Sequence, residues 1–167
     1  FSDICEKYKD FIILVSFGSP RRDVLDMKAE DNKYLHRDFH LGADAALLYC
    51  GTKFGDETVR EFLTEYTKNY YAPVIKKIKE NGLSEIKSWI ERTYEIEEAS
   101  ELLHTDISEN ALTVIVDKSP VIEYMRSLNQ QPSKYYIEQT RTLYAAIANE
   151  CGYKFELEYY KDDGAAK

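Results

Sequence analysis

The stretch NALTVIVDKSPVIEYMRSL, residues 110–128, decides how the rest of the chain is read. Leu112, Val114 and Val116 alternate with Thr113 and Ile115, so both faces are largely apolar and β-branched residues dominate. That is the composition of a strand covered on both sides, and it is expected to be the central strand of a sheet. Pro120 breaks the ladder, and Val121, Met125 and Leu128 then recur at helical spacing, so the chain turns through Lys118-Ser119-Pro120 into a short helix. A strand-to-helix corner presents a side chain and free backbone N–H groups at a sheet edge, which makes Ser119 the best-placed hydroxyl in the chain.

Upstream, Leu102 to Thr105 reads as a weaker strand, joined to the first by a turn at Ser108-Glu109-Asn110. Ile86, Trp89, Ile90, Thr93 and Ile96 share a helix face, with Ser84 as the expected cap. Val59, Phe62, Leu63, Tyr66, Tyr70, Val74 and Ile78 follow the i, i+3, i+4 rule, which predicts a long helix begun at Asp56, kinked near Tyr70 by Pro73 and stopped at Gly82. Before it, YLHRDFHLGADAALLYC sets Leu35, Phe39, Ala43, Ala46, Leu47 and Cys50 on one stripe, with His36 inside the stripe and His40 at its border. Asp31 or Asn32 can cap that helix. Its small residues Gly42, Ala43, Ala45 and Ala46 let another element approach closely, a second copy of the chain included, so a homodimer is one expectation. Ile4, Tyr8, Phe11, Ile12 and Val15 predict a helix at the start, followed by a polar surface loop.

Downstream, NQQPS reads as a loop, and Pro132-Ser133 opens a last long helix with Tyr136, Ile137, Thr140, Tyr144, Ile147 and Cys151 on one face. Gly152 ends it. Tyr153, Phe155, Leu157 and Tyr159 then alternate with Lys154, Glu156, Glu158 and Tyr160, the pattern of a half-buried antiparallel strand. Lys161 to Gly164 is the turn of a hairpin whose second strand begins at Ala165. The sum is a single α+β domain: an antiparallel sheet of about four strands with helices packed against it.

With 167 residues the chain suits one domain with one core. A net charge of −8, from 30 acidic against 22 basic side chains, argues against a nucleic-acid surface. The longest apolar run, FIILVSF at residues 11–17, is too short to span a bilayer, so no membrane partner is expected. Cys5, Cys50 and Cys151 show neither zinc nor redox spacing, and a reduced, cytoplasmic setting is the expectation. The chain opens on Phe1 and stops within what reads as a hairpin, the look of a trimmed version of a longer chain.

Taken together, HRDFH, FGDETVREFLTEYTKNYYAPVIKKIKENGL, LTVIVDKSPVIEYMRS and QTRTLYAAIANECGYKFELEYY, in that order from His36 to Tyr160, resemble the L-2-amino-thiazoline-4-carboxylic acid hydrolase-like family. The resemblance implies a small bacterial protein and hydrolytic opening of a cyclic amidine-like carboxylate at a C–N bond, with no cofactor. The strand, corner, helix and terminal hairpin are also similar, at fold level only, to 4-vinyl reductase and TRAPP-subunit domains, which implies a small-ligand-binding module. Where many family members carry Cys-Pro after the strand, this chain has Ser119-Pro120. A serine hydroxyl needs a contacting base to match a thiolate as nucleophile.

On the hydrolytic reading His36 is the base, Ser119 the nucleophile or water-orienting hydroxyl, and Arg126 the anchor for a substrate carboxylate. His40, Thr140 and Tyr144 complete the expected substrate contacts. Each residue also has a plainer role. His36 and His40, at i and i+4, suit a metal pair, yet no third ligand is evident and no metal is expected. A core histidine and a boundary histidine fit as well. Ser119 suits a turn, Thr140 a bond to the carbonyl four residues back, Arg126 a surface cation, and Tyr144 an ordinary core.

Overall fold

A computed structural model describes residues 31–167, so the helix and loop expected before them, and Cys5, lie outside the described residues. Asn32 caps the first described helix as expected, its side chain accepting from the N–H groups of Tyr34 and Leu35. The element order is α1 Lys33–Phe54, α2 Asp56–Tyr70, α3 Ala72–Asn81, α4 Leu83–Ile96, a 3-10 turn Ser100–Leu102, β1 Leu103–Ile107, β2 Leu112–Val116, α5 Pro120–Ser127 and α6 Glu138–Cys151. The domain is α+β and mostly helical.

The sheet departs from the expected four strands. Only β1 and β2 form a ladder among the described residues, antiparallel, with Leu103 opposite Val116 and Ile107 opposite Leu112. Beyond β2 there are two single bridges, Val116 with Ala166 and Ala166 with Tyr160. Residues 153–157 keep the expected alternation, with Tyr153, Phe155 and Leu157 half-buried and Lys154 and Glu156 exposed, but no strand pairs with them. Alternation in a sequence reports which face is buried, whereas a ladder needs a neighbour at about 4.8 Å. β2 is therefore not central: it is half-buried throughout, with β1 on one side and Ala166 touching only its end on the other.

The helices follow the apolar spacing closely, with three differences. The expected kink is a break, because Pro73 sits in the first turn of α3, where its missing N–H costs no helical bond. α4 begins at Leu83, capped by Gly82 rather than Ser84, whose hydroxyl donates to the Asn81 carbonyl instead. α6 begins at Glu138, and residues 133–137 wind in tight turns before it. Gly82 and Gly152 end α3 and α6 with φ of 74° and 78°, a backbone region that L side chains rarely adopt.

Three apolar clusters hold the layers together. Leu47, Cys50, Val59 and Leu63 join α1 to α2 beneath the Tyr135 ring. Ile75 and Ile78 of α3 pack on Leu143 and Ile147 of α6, with Trp89 and Tyr144 at the edge. Val121, Ile122 and Met125 of α5 close over Tyr136. Ile78, Ile122 and Met125 are at most 1% exposed, and each such side chain stabilises by roughly 1.5–3 kcal/mol. A Cβ at Gly51 would overlap the Tyr135 ring, so only glycine lets that ring pack against α1. The predicted stripe of α1 holds at Leu47 and Cys50 but not at Phe39. Phe39 is 40% exposed, whereas Asp44 is buried because the Ser133 N–H and hydroxyl donate to it at 2.8 and 2.6 Å.

Candidate functional site

The candidate residues divide between two places. Ser119, Thr140 and Tyr144 line one cavity of about 550 Å³ between α4, α6 and the open side of the sheet. His36 and His40 do not line it. They meet Glu97 and Arg37 where α1 packs against the end of α4.

At the helix junction, the buried Glu97 carboxylate holds everything around it. One oxygen accepts from the His36 Nδ1 side, the other from Arg37 Nε at 2.5 Å, and Arg37 Nη2 donates to the Glu97 carbonyl at 3.0 Å. Burial alone would raise the Glu97 carboxyl, but the hydrogen bonds from His36 and Arg37 outweigh it and hold the pKa below the usual carboxylate value. His36 Nε2 lies 3.3 Å from His40 Nε2, and His40 Nδ1 lies 2.9 Å from the Gln139 side-chain oxygen.

The same geometry leaves the buried Gln139 Nε2 without a partner. Exchanging the Gln139 amide O and N lets Nε2 donate to His40 Nδ1 and leaves the oxygen, rather than a donor, in the unpartnered position. His40 Nε2–H in turn donates to His36 Nε2, and His36 Nδ1–H donates to Glu97. All the donors run one way toward the carboxylate. Burial, with the nearby His36, lowers the His40 pKa to about 4, so His40 is neutral at neutral pH, as this chain of bonds requires.

The cavity has different chemistry. Its floor is the apolar face of Val114 and Val116, its roof includes Ile86 and Ile90 of α4 and Ile147 of α6, and hydroxyls are spaced around it. Ser119 sits where the strand-to-helix corner predicts, as N-cap of α5. Its Oγ accepts from the Ile122 N–H at 3.3 Å and shares a hydrogen bond with the Tyr136 hydroxyl. Burial pushes the Tyr144 and Tyr160 phenols up to about 12, and Tyr94 and Tyr136 above their usual value. All four therefore act as uncharged donors and acceptors. Trp89 and Phe155 flank the Tyr144 ring at centroid distances of 5.8 and 6.2 Å, which holds the phenol in place.

Arg126 is not at the cavity. It is exposed and donates to the Asp162 carbonyl at 2.8 Å, tying α5 to the last turn, so the anchoring role expected for it has no counterpart in this geometry. Among the described residues no group of three or more His, Cys, Asp or Glu side chains is placed to hold a metal ion. No described helix is long and apolar enough to cross a membrane. Sequence reasoning passed over two contributors, Glu97 and Tyr94. Tyr94 follows Ile90 by four residues and Glu97 follows Thr93 by four, a spacing that marks both as inward, although Glu97 sits in the acidic run EIEEAS that reads as solvated surface.

No protein-family model matches this chain, and no curated protein or solved structure matches it significantly.

Proposed function

We propose that this domain is a binding module for a small amphipathic molecule, held in the cavity between α4, α6 and β2. The observation that supports the reading is the cavity itself. Its volume, about 550 Å³, lies in the range of small-molecule sites, and apolar walls with a few convergent hydroxyls are the usual make-up of such sites. The ligand's apolar body lies against Ile86, Ile90 and Ile147, and its polar end bonds to Thr140 and Tyr144. The cavity-lining lysines, Lys154 and Lys167, have Glu156 and Glu158 as ion-pair partners, which favours a ligand whose buried portion is uncharged.

The hydrolytic reading requires a base within hydrogen-bond reach of Ser119. The Ser119 hydroxyl is engaged with Tyr136 and the α5 N-terminus, and the imidazoles are engaged with Glu97, Gln139 and each other. That arrangement favours binding over turnover.

The test is mass spectrometry of the purified protein after denaturation. A co-purifying small molecule lost from a Thr140→Val, Tyr144→Phe double variant supports the reading. Turnover of a thiazoline carboxylate, abolished in both His36→Ala and Ser119→Ala, replaces it with the hydrolase.

A further inference from the structure

The gap between β2 and residues 153–159 has the main-chain chemistry of a missing strand. Val116 and Ala166 exchange both backbone bonds, Val116 N–H to Ala166 at 2.9 Å and the return bond at 3.0 Å. In an antiparallel ladder the bonding direction alternates, so Val114 and Leu112 turn their N–H and C=O groups toward the same side as Val116. β1 cannot use them. Its bonds go to the intervening residues, as the bond from Asp117 N–H to the Leu102 carbonyl fixes.

The facing wall repeats the pattern. Glu158 N–H donates to the Lys167 carbonyl at 2.7 Å, and by the same alternation Glu156 and Lys154 face the gap. Ala166 already lies between the walls, bonded to Val116 and bridged to Tyr160, so where it sits the gap is one strand wide, about two spacings of 4.8 Å. β2 lacks the usual protections of an edge: Leu112 to Val116 contains no charge and no proline.

We propose that this gap is the seat of one further β-strand, entered from Lys167 and antiparallel to both walls, as in β-strand addition. The Val116–Ala166 register places the first residue beyond Lys167 opposite Val114 and the third opposite Leu112. Their side chains share the face of Val116, Val114 and Leu112. That face points to α4, since Thr105, opposite Val114, donates to Glu91 of α4 at 2.7 Å. The first and third positions therefore take apolar residues, which close the sheet side of the cavity and leave its Thr140 and Tyr144 end to a ligand. Tethering at Lys167 is part of the proposal, because a linked strand escapes most of the association cost that a free peptide bears.

The experiment extends the chain after Lys167 by Val-Thr-Val-Thr and, in a second version, by Pro-Thr-Pro-Thr, which lacks the N–H groups that would bond Val114 and Leu112. Native-state hydrogen exchange is read at Leu112, Val114, Lys154 and Glu156. Slowing of about tenfold or more at these amides with the first extension and none with the second is the expected result. Unchanged exchange in both, or equal slowing in both, overturns the strand. Equal slowing by the free peptide acetyl-Val-Thr-Val-Thr at the protein's own concentration overturns the tether. Exchange read on refolded, ligand-free protein keeps this result separate from the ligand reading, which is decided by mass.

Discussion

The junction around Glu97 and the cavity beside β2 both bury polar side chains among apolar ones, and they differ in one respect: partners. At the junction the carboxylate, imidazoles and guanidinium bond to one another. In the cavity, hydroxyls of Thr140, Tyr144 and Tyr160 line open space. A cluster whose charged groups are mutually bonded contributes rigidity and has little left to offer a ligand, whereas one whose hydroxyls face open space gives up some stability in exchange for binding. Conspicuous histidines thus mark a joint between helices, and less conspicuous phenols mark the candidate site.

The largest effect that could break this contrast is at Glu97. Glu97→Ala leaves Arg37 and His36 without their buried partner and is expected to cost about 3–5 kcal/mol of unfolding free energy in urea titration. A loss under about 1 kcal/mol would mean that the junction is not structural. Next comes pH. The folded-state pKa of His40, about 4, lies below the ordinary 6.5, so the unfolded chain binds more protons between these values and stability falls as pH drops through that window. The full effect is up to about 3 kcal/mol at 1.36 kcal/mol per pKa unit, and a His40→Gln variant should flatten that slope.

The cavity behaves in the opposite way. Thr140→Val with Tyr144→Phe is expected to weaken retention of a co-purifying ligand about tenfold or more while changing stability by under about 1 kcal/mol. A large stability loss without any change in retention would erase the distinction between the two regions. The smallest effect belongs to Arg126→Ala, which removes one exposed bond to the Asp162 carbonyl: within about 1 kcal/mol in stability and no change in ligand retention.

Local signals in the sequence carried the elements well. The spacing of Val59, Leu63, Val74 and Ile78 ran through α2 and α3, read as one kinked helix where the structure has two, the caps at Asn32 and Gly152 hold, and the β1–β2 hairpin lies where its turn residues put it. What escaped depends on distant partners. Asp44 is buried because of Ser133, 89 positions away, and no helical wheel contains that information. The count of strands failed for the same reason, since the alternation of residues 153–157 describes a buried face but not a neighbour. The site was half readable: Ser119, Thr140 and Tyr144 share the cavity, but the imidazoles were drawn away by a glutamate inside an unremarkable acidic run.

Gly164, at φ 80°, lies so close to the corner of α5 that a Cβ there would overlap that of Ser119. The last turn is thereby pinned to the same residue that caps α5 and borders the cavity. One added methyl group at position 164 would work as a wedge, lifting Ala165 and Ala166 from the end of β2 and loosening the mouth from outside, with no lining residue altered.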